Sequence, residues 1–383
     1  MAALSSGHLA TDFASGIIPA LIPFIAIKFD LGYALAAMLM LSVTISSSLL
    51  QPLFGVLSDR RGALWLIPCG IALAGAGAGL AAVAPTYGLV LVLVFASGIG
   101  IAAFHPEGAK FAAYASGARP ASGMSYFNIG GNTGYALGAI ATTPLVVWLG
   151  LAGGLVAALP VVAAALVLMR FLPSLGRLQP AASALARPVG ADRPRAMALL
   201  GVVIVLRSVA WFALLSFVPL WIVSLGHSET YGNHLLSLML LAGAAGTLLL
   251  GPLADRIGLR RTLLVTQILL PPLMLIFVYA GGVLGAVCLM LVGVCVVGTF
   301  GVTMVLSQLY LPRHVGLASG LAIGLAMGLD GVAAVVLGAV ADAIDLKTAL
   351  TISAVAPALG VVACLLLPAP APGPRLAAEV AAT

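Results

Sequence analysis

Gly55-Val56-Leu57-Ser58-Asp59-Arg60-Arg61-Gly62 returns 196 positions later as Gly251-Pro252-Leu253-Ala254-Asp255-Arg256-Ile257-Gly258. Each copy lies between long apolar runs, so the chain reads as a membrane protein built from two related halves. Two such repeats rocking around a central site give alternating access, which points to a transporter.

The repeat extends outward from the loop. Ala121-Ser122-Gly123 matches Ala318-Ser319-Gly320 at an offset of 197, and Gly131 and Gly134 align with Gly328 and Gly331. The fifth apolar run is therefore equivalent to the eleventh, and the second to the eighth. Halves in the same orientation, with an even number of spans between copies, form a parallel repeat.

Composition fixes the solvent. Hydrophobic residues make up 62% of the 383-residue chain and charged residues only 7%, with a mean hydropathy of +1.20. A soluble chain would carry roughly a quarter charged residues. Apolar runs this long must be helices, because lipid offers the backbone no hydrogen-bond partners.

The expected spans are 5–28, 34–57, 64–84, 87–111, 120–148, 151–171, 196–223, 232–254, 262–281, 284–309, 315–341 and 346–367. The fold class is thus all-α, with twelve transmembrane helices in two pseudo-symmetric six-helix bundles. One bundle covers residues 1–172 and the other 196–368, joined by a Pro-, Ala- and Arg-rich cytoplasmic linker at 173–195. The Pro-rich tail, 369–383, reads as disordered. No basic stretch precedes the first apolar run, which His8 and Asp12 interrupt, so no cleavable signal peptide is expected.

The net charge of +6 is a topology signal, not a nucleic-acid footprint. With the N-terminus in the cytoplasm, 14 of the 17 Lys/Arg fall on the cytoplasmic side, Lys28 and Lys347 on the far side, and Arg207 inside a span. That bias predicts a multi-pass protein of a bacterial-type inner membrane with both termini cytoplasmic. Cys69, Cys288, Cys295 and Cys364 all fall within spans and read as small packing residues, with no disulfide and no metal site. Trp148 and Trp221, near outer span ends, read as interface anchors.

At this point the chain resembles the major facilitator superfamily. Gly55-x-x-x-Asp59-Arg60-x-Gly62 and Gly251-x-x-x-Asp255-Arg256-x-Gly258 look like its signature loop in each half. A narrower likeness, to the fosmidomycin-resistance branch of drug exporters, rests on four further stretches. They are His8-x-x-x-Asp12, Leu50-Gln51-Pro52, Phe104-His105-Pro106-Glu107 and Gly130-Gly131-Asn132. The fourth span lacks the arginine, and the fifth the Gly-Pro pair, that many proton-coupled exporters carry. The resemblance implies a monomer in a lipid bilayer that acts on a small molecule.

The ionisable groups inside spans are His8, Asp12, His105, Glu107, Arg207 and Asp330. A charge near the bilayer centre costs at least about 2.5–3.5 kcal/mol, so each marks a candidate site. Arg207 lies about 16 Å into its span, near the midplane. It could hold an anionic substrate group, with Trp211 stacked on it one turn further along. The repeat offset maps it within a turn of Asp12, so the two should face each other. A fixed Arg207–Asp12 ion pair tying the halves together is the structural alternative.

His8 and Asp12 share one helix face and are expected to couple transport to protons. His105 and Glu107 close the fourth span, where Pro106 should break the helix ladder and free carbonyls that line a cavity. Glu107 could relay protons or pair with Lys110 as a latch. Asp330 could bind substrate, bind a proton or be a buried structural partner. Phe13, Tyr126, Asn128 and Asn132 are further candidates to line the pathway. Gly134-x-x-x-Gly138 and Gly324-x-x-x-Gly328 read as close helix contacts. Two imidazoles and two carboxylates invite a metal, but their sequence spacing supports none, and no cofactor is expected besides the proton gradient as energy source. Asp59 and Asp255, with Gly55, Arg60 and Arg256, should hold a cytoplasmic gate by accepting from helix N-termini or arginines.

The reading is a secondary transporter, not an enzyme, with no P-loop or dinucleotide fingerprint. It would export small anionic or amphipathic toxic compounds in exchange for protons. Proton-coupled uptake or exchange of an organic anion is the alternative, and a non-transporting membrane sensor a remote one.

Overall fold

The computed structural model of the chain describes residues 1–31, 33–178, 190–328 and 330–370. The apolar runs of the N-terminal half fold as α1 (Ala2–Phe29), α2 (Tyr33–Arg61), α3 (Leu66–Val83), α4 (Tyr87–Ser116), α5 (Pro120–Leu149) and α6 (Ala152–Met169), followed by the short α7 (Leu172–Gly176). The C-terminal half contains α8 (Pro194–Ser224), α9 (Glu229–Ile257), α10 (Leu259–Ala280), α11 (Gly282–Val297), α12 (Phe300–Tyr310), α13 (Val315–Gly328), α14 (Asp330–Ala343), α15 (Leu346–Ser353) and α16 (Val355–Leu366). Most of the expected linker and tail lies outside the described residues.

Among the described residues, 10 helical stretches are long and apolar enough to cross a membrane. In these, α11 and α12 act as one stretch, Gly282–Tyr310, and α15 and α16 as another, Leu346–Leu366. The helix α5 falls outside this set because Ser122, Ser125, Asn128, Asn132 and Thr142 dilute its apolar character. The eleventh expected span is occupied by α13 and α14. Each expected interval is thus helical, and the fold is that of a twelve-span bundle protein.

The chain divides into two compact units. Unit 1 comprises Met1–Gly117, Tyr126–Pro188 and Arg313–Gly324; unit 2 comprises Ala118–Ser125, Val189–Pro312 and Leu325–Thr383. The first turns of α5 therefore group with the C-terminal helices, and those of α13 with the N-terminal ones. This exchange falls on the two copies of Ala-Ser-Gly.

Unit 1 is packed through small residues. A Cβ at Gly130, Gly134 or Gly138 of α5 would overlap the carbonyl oxygens of Ser5, Leu9 and Phe13 on α1, one contact per helical turn. Backbone thus lies directly on backbone, the small-residue mode of membrane helix packing. Gly134→Leu is expected to abolish folded protein, read as loss of the monodisperse peak on size-exclusion chromatography. Gly88→Ala is the control and should leave the peak intact, because nothing lies within 4 Å of a Cβ there.

Unit 2 has a conventional apolar core of Phe217, Trp221, Met239, Met274 and Leu289. Here one expectation is corrected. Trp221 is 8% exposed inside that core, not an interface anchor, whereas Trp148 is 81% exposed. An indole joins a large apolar body to one polar N–H, so it suits either setting, and the surrounding leucines and methionines decide it.

Candidate functional site

In unit 1, α1 and α4 bring His8, Asp12 and His105 together. His8 Nε2 lies 3.2 Å from Asp12 Oδ2, and His105 Nε2 lies 3.3 Å from Asp12 Oδ1. Each imidazole is fixed from behind. His8 Nδ1 lies 2.9 Å from the Phe127 carbonyl oxygen, and His105 Nδ1 lies 3.0 Å from that of Ile101. The His8 ring also stacks on Phe127, with centroids 4.1 Å apart. His8–Asp12 was legible as an i, i+4 pair; His105 joins them only through the packing of α4 on α1.

The helix α4 continues through Pro106. Proline lacks the N–H that would bond the Ala102 carbonyl, so the ladder loses that one rung while the helix persists on both sides. His105 and Glu107 consequently lie about two to three turns before the helix end.

Glu107 and Lys110 are both buried and form an ion pair of 3.0 Å. Lys110 Nζ also donates to the Ser58 carbonyl at 3.1 Å, and the Ser58 hydroxyl contacts both charged groups. Lys110, expected among the cytoplasmic positive charges, is thus inside unit 1. This network ties α4 to α2 next to Asp59. Removing one partner strands the other, at a cost of about 3–5 kcal/mol. Lys110→Met should therefore lower thermal stability sharply, and adding Glu107→Gln should restore most of it, as measured by melting in detergent.

The repeated loops act as helix caps. Asp59 Oδ1 and Oδ2 accept from the backbone N–H groups of Gly316 at 2.8 Å and Leu317 at 2.9 Å. Asp255 accepts from Ala121 N–H at 3.0 Å, Ser122 N–H at 2.9 Å and the Ser122 hydroxyl at 2.6 Å. These are the second and third residues of α13 and α5, whose N–H groups have no partner within their own helix. A carboxylate there also meets the positive end of the helix dipole. The donors are helix N-termini; Arg60 and Arg256 are exposed and outside both caps. Gly55 makes room for the first, since a Cβ there would overlap Gly316.

In unit 2, Arg207 lies near the centre of the 31-residue α8 and is 3% exposed. Its Nη1 donates to Thr299 Oγ1 at 2.7 Å. Thr299 sits in the break between α11 and α12, where Gly298 packs so closely on Gly246 that a Cβ would be 2.8 Å from that carbonyl. No carboxylate among the described residues of unit 2 pairs with Arg207. Sequence reasoning found Arg207 but missed Thr299, whose only signal was a Gly-Thr interruption in an apolar run. The expected ring on the guanidinium is not found among the described residues: Trp211 packs on the apolar core of unit 2. The partners of Arg207 and Asp12 each lie within their own unit.

Of the remaining candidates, Asn128 is 4% exposed and neither polar atom of its amide has a partner among the described residues. Phe13 is half-buried, while Tyr126 and Asn132 are exposed. The side chain of Asp330 lies outside the described residues.

Two repeated helical units with charges buried inside apolar spans define a membrane transporter of the secondary type. The sequence matches the Major Facilitator Superfamily over residues 4–329 and again over 200–382, and the chain belongs to that family.

It is 31% identical over 354 residues to the uncharacterized MFS-type transporter YfnC of Bacillus subtilis (strain 168), covering 88% of this chain and 85% of that one. It is 29% identical over 352 residues to the fosmidomycin resistance protein of Escherichia coli (strain K12), covering 89% and 86%. Among solved structures it resembles the Major Facilitator Superfamily transporter FucP in the outward conformation, with a TM-score of 0.78 at 16% identity, covering 96% of this chain and 98% of that one. The protein is a multi-pass membrane transporter.

Proposed function

We propose that this transporter exports small anionic or amphipathic toxic compounds in exchange for protons, with Arg207 as the substrate anchor. The observation that carries the reading is the buried guanidinium. It has five N–H donors, and the one bond to Thr299 leaves its charge without a counter-ion among the described residues of unit 2. A buried unpaired charge is costly, and an anionic substrate group offsets that cost with charge-assisted bonds.

The setting supports the same reading. Transporter substrate sites lie at discontinuous helices near the midplane, and Arg207 meets α11–α12 at such a break. The similarity to a fosmidomycin resistance protein favours export of a toxic compound over uptake of a nutrient. Without a P-loop for ATP, the driving force is an ion gradient. Asp59 and Asp255 would gate the cycle, since their caps must break for α13 and α5 to leave the loops.

The test is binding of a panel of phosphonates, carboxylates and drugs, including fosmidomycin, to purified protein by calorimetry. Anion binding that disappears in Arg207→Ala supports the assignment. Binding that survives unchanged would make Arg207 a structural residue and reject the site.

A further inference from the structure

We propose that His8, Asp12 and His105 form a binding site for a borderline divalent transition-metal ion of the Zn²⁺ class. This is independent of the substrate assigned to Arg207.

The backs of the two rings fix their tautomers. A carbonyl oxygen can only accept, so the bonds to Phe127 and Ile101 put a hydrogen on Nδ1 of each imidazole. In the neutral ring the other nitrogen is then a bare lone pair. Both Nε2 lone pairs therefore point at the carboxylate oxygens of Asp12, acceptor against acceptor. Such an arrangement holds only with positive charge among the three groups.

Protons and a metal ion are the two ways to supply it. His8 Nε2 faces Asp12 Oδ2 at 3.2 Å and His105 Nε2 faces Asp12 Oδ1 at 3.3 Å, so two imidazole lone pairs converge on one carboxylate, the donor set of a His–His–Asp metal site. One ligand atom from each residue lies within 4.8 Å of the other two, so modest ring movement closes the set.

The surroundings are those of a metal site. Histidine ligands characteristically donate their second N–H to a backbone carbonyl, which fixes the tautomer and orients the ring; both imidazoles here do so. Gly131 on α5 packs directly against the donors: a Cβ there would overlap His8 Nε2 at 2.5 Å and Asp12 Oδ2 at 2.6 Å, so only glycine leaves this side of the set uncovered by a side chain. Two neutral imidazoles and a carboxylate suit Zn²⁺ or Co²⁺ rather than Ca²⁺ or Mg²⁺, which prefer all-oxygen shells. Asp12 keeps 17% of its side chain exposed, leaving an open side for a fourth ligand such as water.

The experiment titrates tag-free, metal-stripped, full-length protein in detergent with Co²⁺, whose low-symmetry complexes absorb visible light. A saturable band with a single Co²⁺ per chain, displaced by Zn²⁺, is expected. His105→Ala and Asp12→Asn should each weaken it by about 10-fold or more, since even the loss of an outer-shell partner has that effect. His227→Ala, at an exposed position outside the cluster, should leave it unchanged. Elution as a single species confirms folding of each variant, and either of the first two suffices if the other fails to fold. Absence of a saturable band, or a band that persists unchanged in the folded variants, would overturn the proposal and leave the lone pairs to protons. Anion binding through Arg207 is scored separately and is unaffected by either result.

Discussion

Arg207→Met is expected to abolish anion binding while leaving the protein at least as heat-stable as the wild type. The two effects have opposite signs for one reason. Truncating one partner of a buried, hydrogen-bonded charge pair costs about 2–5 kcal/mol of binding, which is at least about thirtyfold in affinity. Replacing a buried charge by an apolar side chain of similar volume is often neutral or stabilising by about 1–4 kcal/mol. Methionine also removes the donor to Thr299, but Thr299 Oγ1 keeps its own bond to the Cys295 carbonyl at 2.6 Å. Arg207→Lys should lie between, because an ammonium retains the charge and loses the bidentate fork. Calorimetry and thermal melting on the same preparations check both signs. A variant that binds normally, or one that melts far below wild type, would place Arg207 in the scaffold.

Asp59→Ala and Asp255→Ala are expected to loosen the N-terminal turns of α13 and α5 respectively. Each substitution orphans two backbone N–H groups and removes a negative charge from a helix N-terminus. Losing a cap costs about 1–2 kcal/mol, which corresponds to a factor of about 5–30 in local opening. Hydrogen exchange at residues 316–317 and 121–122 should accelerate by that factor. The effect should be larger at Asp255, which also accepts from the Ser122 hydroxyl. Transport rates should change in both variants while anion affinity does not. Unchanged exchange in both would mean the carboxylates are replaceable by solvent and the caps do not hold a gate.

The fold was largely legible because its signals are local or repeated. A charged Gly-x-x-x-Asp-Arg loop between apolar runs marks two turns between spans, and its repetition at nearly one offset reveals the parallel halves. Arg207 and Asp12 stood out because ionisable groups inside apolar runs are scarce. Contacts across helices were harder to read. Nothing in sequence brings His105 to Asp12, because helix rotation and crossing decide which faces meet. Hence the absence of metal-ligand spacing along the chain said little about ligand spacing in space. Trp221 was misplaced because packing around a residue overrides its intrinsic preference. Conversely, Gly134 and Gly138 conveyed their role directly, since a four-residue glycine period is itself a contact surface; Gly130 extends it by one turn. The exchange of α5 and α13 turns between units falls on the two copies of Ala-Ser-Gly, which identified equivalent helices without identifying their partners.

The central claim is that transport of an anionic compound is driven by protons. Its most direct test is uptake of labelled fosmidomycin into proteoliposomes under an imposed proton gradient. Accumulation that follows the gradient, collapses with an uncoupler and is absent in Arg207→Ala is the predicted result. Arg207-dependent accumulation that persists at full rate after the gradient is collapsed would contradict it.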